Sequence, residues 1–228
     1  MNEKFDIYDV LGILVPGVLI VCAVPIAFPN APTLLAPHKF PDAFSVVALT
    51  AASVFLGHLV QALASLCEPI LNRTWGGRPS ETALTSGLGD RYLPADSGAR
   101  IRAKLAEAVG ATATTRSLFL FAMQKAEGCK SRRVTVFNGL YAYHRVLVVL
   151  TALVLVFFLI SFHRGLASHL TLLQSAGCIV LLLLLLALFW YRTKQRGFYY
   201  VREVLLCAEQ ALASPSGTSN VAEKGDHG

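Results

Sequence analysis

The sequence predicts an all-α fold: a four-helix transmembrane bundle with a helical cytoplasmic insertion between spans 2 and 3. Three observations predict it. The first is the stretch 146–191, where VLVVLTALVLVFFLISF and TLLQSAGCIVLLLLLLALFWY flank a short polar patch. Neither run holds Asp, Glu, Lys or Arg, and each is about long enough to cross a hydrocarbon core of about 30 Å at 1.5 Å per residue. The second is composition: 54% of the 228 residues are hydrophobic and 15% are charged, against about 25% charged in ordinary globular chains. The third is the placement of charge. Two further apolar stretches, 10–28 and 44–66, leave 18 of the 20 Lys and Arg on the side that holds both termini and the segment 68–145. Lys39 and Arg164 alone fall on the other side. Basic residues are retained on the cytoplasmic face of an inner membrane, so both termini are expected there. The same rule accounts for the net charge of +6 without invoking nucleic acid.

The chain divides as 1–67, an interfacial helix with spans 1 and 2; 68–145, a basic cytoplasmic segment; 146–191, the hairpin of spans 3 and 4; 192–213, a cytoplasmic helix; and 214–228, a disordered tail. Residues 1–9 carry Glu3, Asp6 and Asp9 against the single Lys4, unlike the basic start of a cleaved signal peptide. Phe5 and Tyr8 suit an aromatic anchor at the interface. Pro16-Gly17 falls inside the first span, where a missing backbone donor predicts a kink or local unwinding. Residues 29–41 hold four of the ten prolines and read as an extended loop. The second span is less apolar, and His58, Gln61 and Ser65 share one of its faces at spacings of three and seven residues.

The segment 68–145 carries twelve Lys or Arg against six acids. Its first third, rich in Gly, Pro, Ser and Thr, reads as loop with one short helical turn. Ser97 can cap a helix over 98–109. Thr114 or Thr115 can cap a second over 116–127, with Gly128 as its stop. A helix from Arg132 then runs into the third span. After the fourth, Arg192, Lys194 and Arg196 mark the cytoplasmic edge, and Phe198, Val201, Leu205, Ala208 and Leu212 recur at helical spacing.

Few residues suggest chemistry. His58 is the one histidine inside a span, which makes it a candidate proton relay or pore ligand. An interhelical hydrogen bond demands less of it, because no second ionisable group sits within a span to relay to. Trp75 stands in a compact turn just past the membrane and suits a headgroup anchor or a partner contact. Lys130, Arg132 and Arg133 form a basic cluster that anionic headgroups would attract. It lacks the interleaved aromatics of a single-strand nucleic-acid surface. Tyr141 and Arg145 share a helix face and suit docking of a cytoplasmic helix or partner, or equally an ordinary interfacial belt. The five cysteines, Cys22, Cys67, Cys129, Cys178 and Cys207, show no ligand spacing and read as small apolar residues. HExxH, GxSxG, P-loop and paired-carboxylate patterns do not occur, so neither enzymatic activity nor a metal or cofactor is expected.

The opening Phe5-Asp6-Ile7-Tyr8-Asp9 with Leu11 to Gly17, the pair Gly57-His58 and the run Tyr141 to Arg145 together resemble a group of small uncharacterised bacterial four-span membrane proteins. Their FDxYD…PG N-terminus, GH pair and YxxxR ending take the same order, and some stand beside anti-phage defence genes. The resemblance implies a defence-associated membrane protein and supplies no catalytic residues. Three roles remain in view: an effector or accessory subunit that couples a cytoplasmic partner to an oligomeric bundle, a stand-alone pore or small transporter, and a passive anchor for a neighbouring protein.

Overall fold

The computed structural model describes residues 7–27, 42–129, 131–165 and 171–213, without the side chains of residues 7–11, 24–27 and 42. The expected interfacial anchor at Phe5, the proline-rich loop, Lys130 and the polar tail lie outside the described residues. Seven helices follow one another: α1 (Ile7–Ala27), α2 (Asp42–Thr74), α3 (Pro79–Thr85), α4 (Ala95–Val109), α5 (Thr115–Gly128), α6 (Arg132–His163) and α7 (Leu172–Ala213). No strand occurs among the described residues, where a lone bridge joins Gly89 and Leu93.

Three of these helices, α2, α6 and α7, are long and apolar enough to cross a membrane. With 33, 32 and 42 residues they extend about 50, 48 and 63 Å, well beyond the hydrocarbon thickness. Each therefore has an apolar part and a part that projects from it. The apolar parts bury little of their own surface: Phe44, Phe55, Leu66, Leu172, Leu173 and Leu184 all stand exposed. Contiguous exposure on this scale is unstable in water, and acyl chains are the natural cover.

α1 lies along α2 and α6. The apolar contact between them is built from Ile20, Val60, Ala64, Val146, Val149 and Leu150. The helix runs unbroken through Pro16-Gly17, so the local unwinding expected there is absent. Pro16 removes a single ladder bond, and the turns on either side hold the helix in register. What the pair supplies instead is a close crossing. A Cβ at Gly17 would fall 1.7 Å from the Ser53 carbonyl oxygen, and one at Gly57 would fall 1.9 Å from that of Ile13. Two glycines facing each other's backbones let α1 and α2 approach to near contact, as small residues do where no hydrophobic force drives helices together in lipid.

A second core forms outside the apolar region. Ala83 and Leu84 of α3, Ile101 and Leu105 of α4, Leu118, Ala122 and Ala126 of α5, and Val201, Val204, Leu205 and Ala208 of α7 bury one another. The segment 68–145 and the helix 192–213, read separately from sequence, thus share one core, here called the cap. α4 begins at Ala95 behind Pro94, three residues earlier than a Ser97 cap would place it. Gly98 explains the shift: a Cβ there would sit 2.4 Å from the Ala83 carbonyl oxygen, so residue 98 belongs to the face pressed on α3. α5 starts where capping chemistry puts it, with the Thr114 hydroxyl accepting from Ser117 N–H at 3.2 Å. Thr114→Ala should cost about 1 kcal/mol of cap stability, read as a lower denaturation midpoint.

Glu209 of α7 ties α7 to α4 within the cap, accepting from Arg100 Nε at 3.0 Å and Lys104 Nζ at 2.8 Å. The hydrogen bond from Arg100, then that from Lys104, holds its carboxyl below the usual value of 4.5. A depressed folded value means the tie is fully present above pH 4.5 and is lost as pH falls through the folded value. The stability difference between wild type and Glu209→Gln should therefore be constant near neutrality and shrink below pH 4.5. Paired denaturation curves across pH 3–7 check this.

Candidate functional site

The bundle and the cap meet at the ends of α2 and α6, and the polar groups of the junction concentrate there. Glu68 lies one turn past Ser65 on α2. Tyr141 and Arg145 lie one turn apart on α6 and so share a face. The Arg145 guanidinium pairs with the Glu68 carboxylate through Nη1 and Oε2, and its Nη2 donates to Ser65 Oγ at 3.2 Å. Tyr141 Oη donates to Glu68 Oε1 at 3.3 Å, and the guanidinium carbon stands 5.5 Å from the centre of the Tyr141 ring. Burial, reinforced by the Glu68 carboxylate, pushes the Tyr141 hydroxyl above its ordinary range, so it remains a donor at any physiological pH. Its ring presses on Gly197 of α7, where a Cβ would meet it at 3.1 Å. One tyrosine thereby touches the helix that continues into the cap core.

A cavity of about 380 Å³ opens beside this cluster, lined from α2 by Ser65, Glu68, Pro69 and Asn72, and closed by Pro79, Phe119, Tyr141, Gly197 and Tyr200. Asn72 is 6% exposed and its Oδ1 has no hydrogen-bond donor. Above the cavity the chain turns at 72–77, with Gly77 N–H bonded to the Asn72 carbonyl at 2.9 Å.

The residues expected to form an intramembrane polar site all lie on the unbroken α2, where Ser65 Oγ donates to the Gln61 carbonyl at 3.1 Å. Ser65 joins Arg145, Gln61 is half-buried, and His58 stands exposed on the outer face of α2. Trp75, expected at headgroups or a partner, is buried against Leu71 and Val148. The turn after α2 folds its indole back onto α6, and lipid contact is lost as a result. Trp190 of α7 reaches the end of α2 instead, donating to Thr74 Oγ1 at 2.8 Å. Arg132 and Arg133 are exposed at the start of α6, where headgroups could reach them. Among the described residues no group of three or more His, Cys, Asp or Glu could hold a metal ion, and the five cysteines are free thiols.

Comparison with protein-family models, curated proteins and solved structures returns no match. The geometry of the junction is therefore the main guide to function. Sequence reading placed Tyr141, Arg145 and Ser65 among the candidates but did not join them to Glu68, 77 residues away from Arg145. An acid at the end of an apolar stretch and an Arg at the start of another is the signal that pairs them: each needs a partner where water thins out.

Proposed function

We propose that the chain is a four-span inner-membrane protein, with both termini and the cap in the cytoplasm, that couples a cytoplasmic partner or signal to the bundle. α1 counts as the fourth span. Its 21 residues extend about 32 Å, enough for the hydrocarbon core, and its crossing with α2 is as close as backbones permit. The observation that carries the coupling is continuity. α6 and α7 run without interruption from apolar bundle to polar exterior, and α7 ends inside the cap core. A displacement of α4 or α5 has a rigid route to the membrane through α7, and the Glu68–Arg145–Tyr141 cluster fixes α2 to α6 where the two parts meet. The resemblance to defence-associated membrane proteins supports a role for this coupling in bacterial defence, with a change of membrane permeability as the output and a homo-oligomer as the working form.

The stand-alone pore reading loses support from the position of His58: on the outer face of one chain it lines no path within that chain. The passive-anchor reading assigns no role to the buried junction. The experiment is a membrane-potential measurement in phage-challenged cells expressing the full chain or a variant with Arg102, Arg116 and Lys125 changed to Glu. These three residues are exposed on the cap, so the fold should survive the exchange. Challenge-dependent depolarisation that the variant lacks supports coupling through the cap. Equal depolarisation in both removes the cap from the pathway, and protection without depolarisation in either favours an anchor.

A further inference from the structure

Of the three long apolar helices, α7 is the least covered. Only 6% of its apolar stretch is buried by the chain itself, against 17% for α2 and 33% for α6. Leu181, Leu184 and Leu188 follow one another along one face of it and are 57%, 64% and 49% exposed. The same face continues into Arg192 and Arg196, one and two turns past Leu188. The apolar run ends at Tyr191, so Arg192 stands at the hydrocarbon edge and Arg196 about 6 Å beyond it. The headgroup layer of a bilayer is about 5–8 Å deep, and both residues fall within it.

Among the described residues nothing neutralises this pair: no carboxylate stands within 4.0 Å of either guanidinium. Glu203, two turns past Arg196, is buried in the cap and pairs with neither. Arg192 is exposed and gives one of its five N–H donors to Gln195 Oε1 at 3.1 Å. Arg196 is half-buried, its guanidinium carbon 5.9 Å from the centre of the Phe137 ring of α6. That ring is itself stacked on Tyr199 at 5.4 Å, so an aromatic shelf positions one cation beside the exposed one. The charges of both arginines reach His144 of α6, which places them on the same α6–α7 seam.

We propose that this face of α7 binds an anionic glycerophospholipid, with an acyl chain along Leu181, Leu184 and Leu188 and the phosphate between Arg192 and Arg196. Guanidinium forks match phosphate oxygens. Charge selects the lipid: two arginines meet one phosphate, and the described residues set no carboxylate beside them for a choline or ethanolamine cation. A second copy of the chain is the other cover for the leucines. Copies share one orientation in the membrane, and a two-fold contact through this face would set Arg192 against Arg192, like charge on like charge. The proposal rests on the membrane placement of the chain and is independent of coupling through the cap.

Native mass spectrometry of the full chain in detergent, titrated in turn with dioleoyl phosphatidylglycerol, phosphatidylethanolamine and phosphatidylcholine, tests it. Each arginine facing anionic lipid is worth about fivefold in binding, so phosphatidylglycerol should be retained about 25-fold over the other two. Arg192→Gln/Arg196→Gln should abolish that preference. Arg102→Gln/Arg116→Gln removes the same charge from exposed positions on the cap and should keep it. Arg192 is exposed, so Arg192→Gln alone, with a loss of about fivefold, decides the matter if the double variant does not fold. No preference, or a preference that both double variants reduce equally, reflects net charge alone and overturns the proposal. A lipid-free dimer that Arg192→Gln strengthens assigns the face to a second copy and also overturns it. The readout involves neither partner nor depolarisation, so failure here and failure of coupling are distinguishable.

Discussion

Arg145→Gln should lower the unfolding free energy of the full chain by about 2 kcal/mol. Removing one member of a buried ion pair costs about 3–5 kcal/mol, because the surviving charge is left without compensation. The Arg145 side chain is 13% exposed, but that of Glu68 is 37% exposed, and solvent there reduces the cost. Glu68→Gln should cost at least as much, because the charge it strands, Arg145, is the more buried of the two, although an amide oxygen still accepts from Tyr141 and Arg145. The double variant should lose less than the sum of the two, and the difference, about 1 kcal/mol, is the coupling between the groups. Denaturation in mixed micelles, monitored by helical circular dichroism, gives all four corners of the cycle. Strict additivity would mean that the contact contributes nothing.

The α1–α2 crossing should tolerate change least. Gly17→Ala and Gly57→Ala each place a methyl group under 2 Å from a backbone carbonyl oxygen of the partner helix. Overpacking relieved by side-chain motion costs about 1–3 kcal/mol. Here the obstacle is backbone, so the helices must separate, and a loss of about 3 kcal/mol or more is expected for either variant. Gly139→Ala on α6 is the control. A Cβ there meets nothing within 4 Å, and alanine favours a helix by up to about 1 kcal/mol over glycine. The same melts should therefore rank Gly139→Ala at or above wild type and the other two far below. A uniform response to all three would show that α1 and α2 do not cross at Gly17 and Gly57.

Much of the architecture could be read from local signals. Thr114 caps α5 through its hydroxyl, and Val109 ends α4 before Gly110. The face of α7 that carries Val201, Leu205 and Ala208 was visible as a period. The helices that would cover it were not, because periodicity marks a buried face without naming its partner. α2 outran its expected end at Leu66 and continued through Pro69 to Thr74, since one missing donor does not stop a helix whose far turns are packed. Trp75 went astray for a related reason: interfacial tryptophans and core tryptophans look alike until the turn that aims them is known. The Glu68–Arg145 pair was the deepest omission. Both residues stand at the edges of apolar runs, but a contact across 77 positions leaves no local trace. Pro16-Gly17 was noticed as a break, although its use is the close crossing that glycine permits.

The proposed coupling requires bundle and cap to move as one body through the junction. Hydrogen exchange of the full chain in nanodiscs, wild type against Arg145→Gln, reads this out. The variant should lose protection at the end of α2 around 65–74 and also in α5 and in α7 around 197–208, although those segments lie on other helices. Faster exchange confined to the turn around Arg145, with α5 and the end of α7 unchanged, would contradict it.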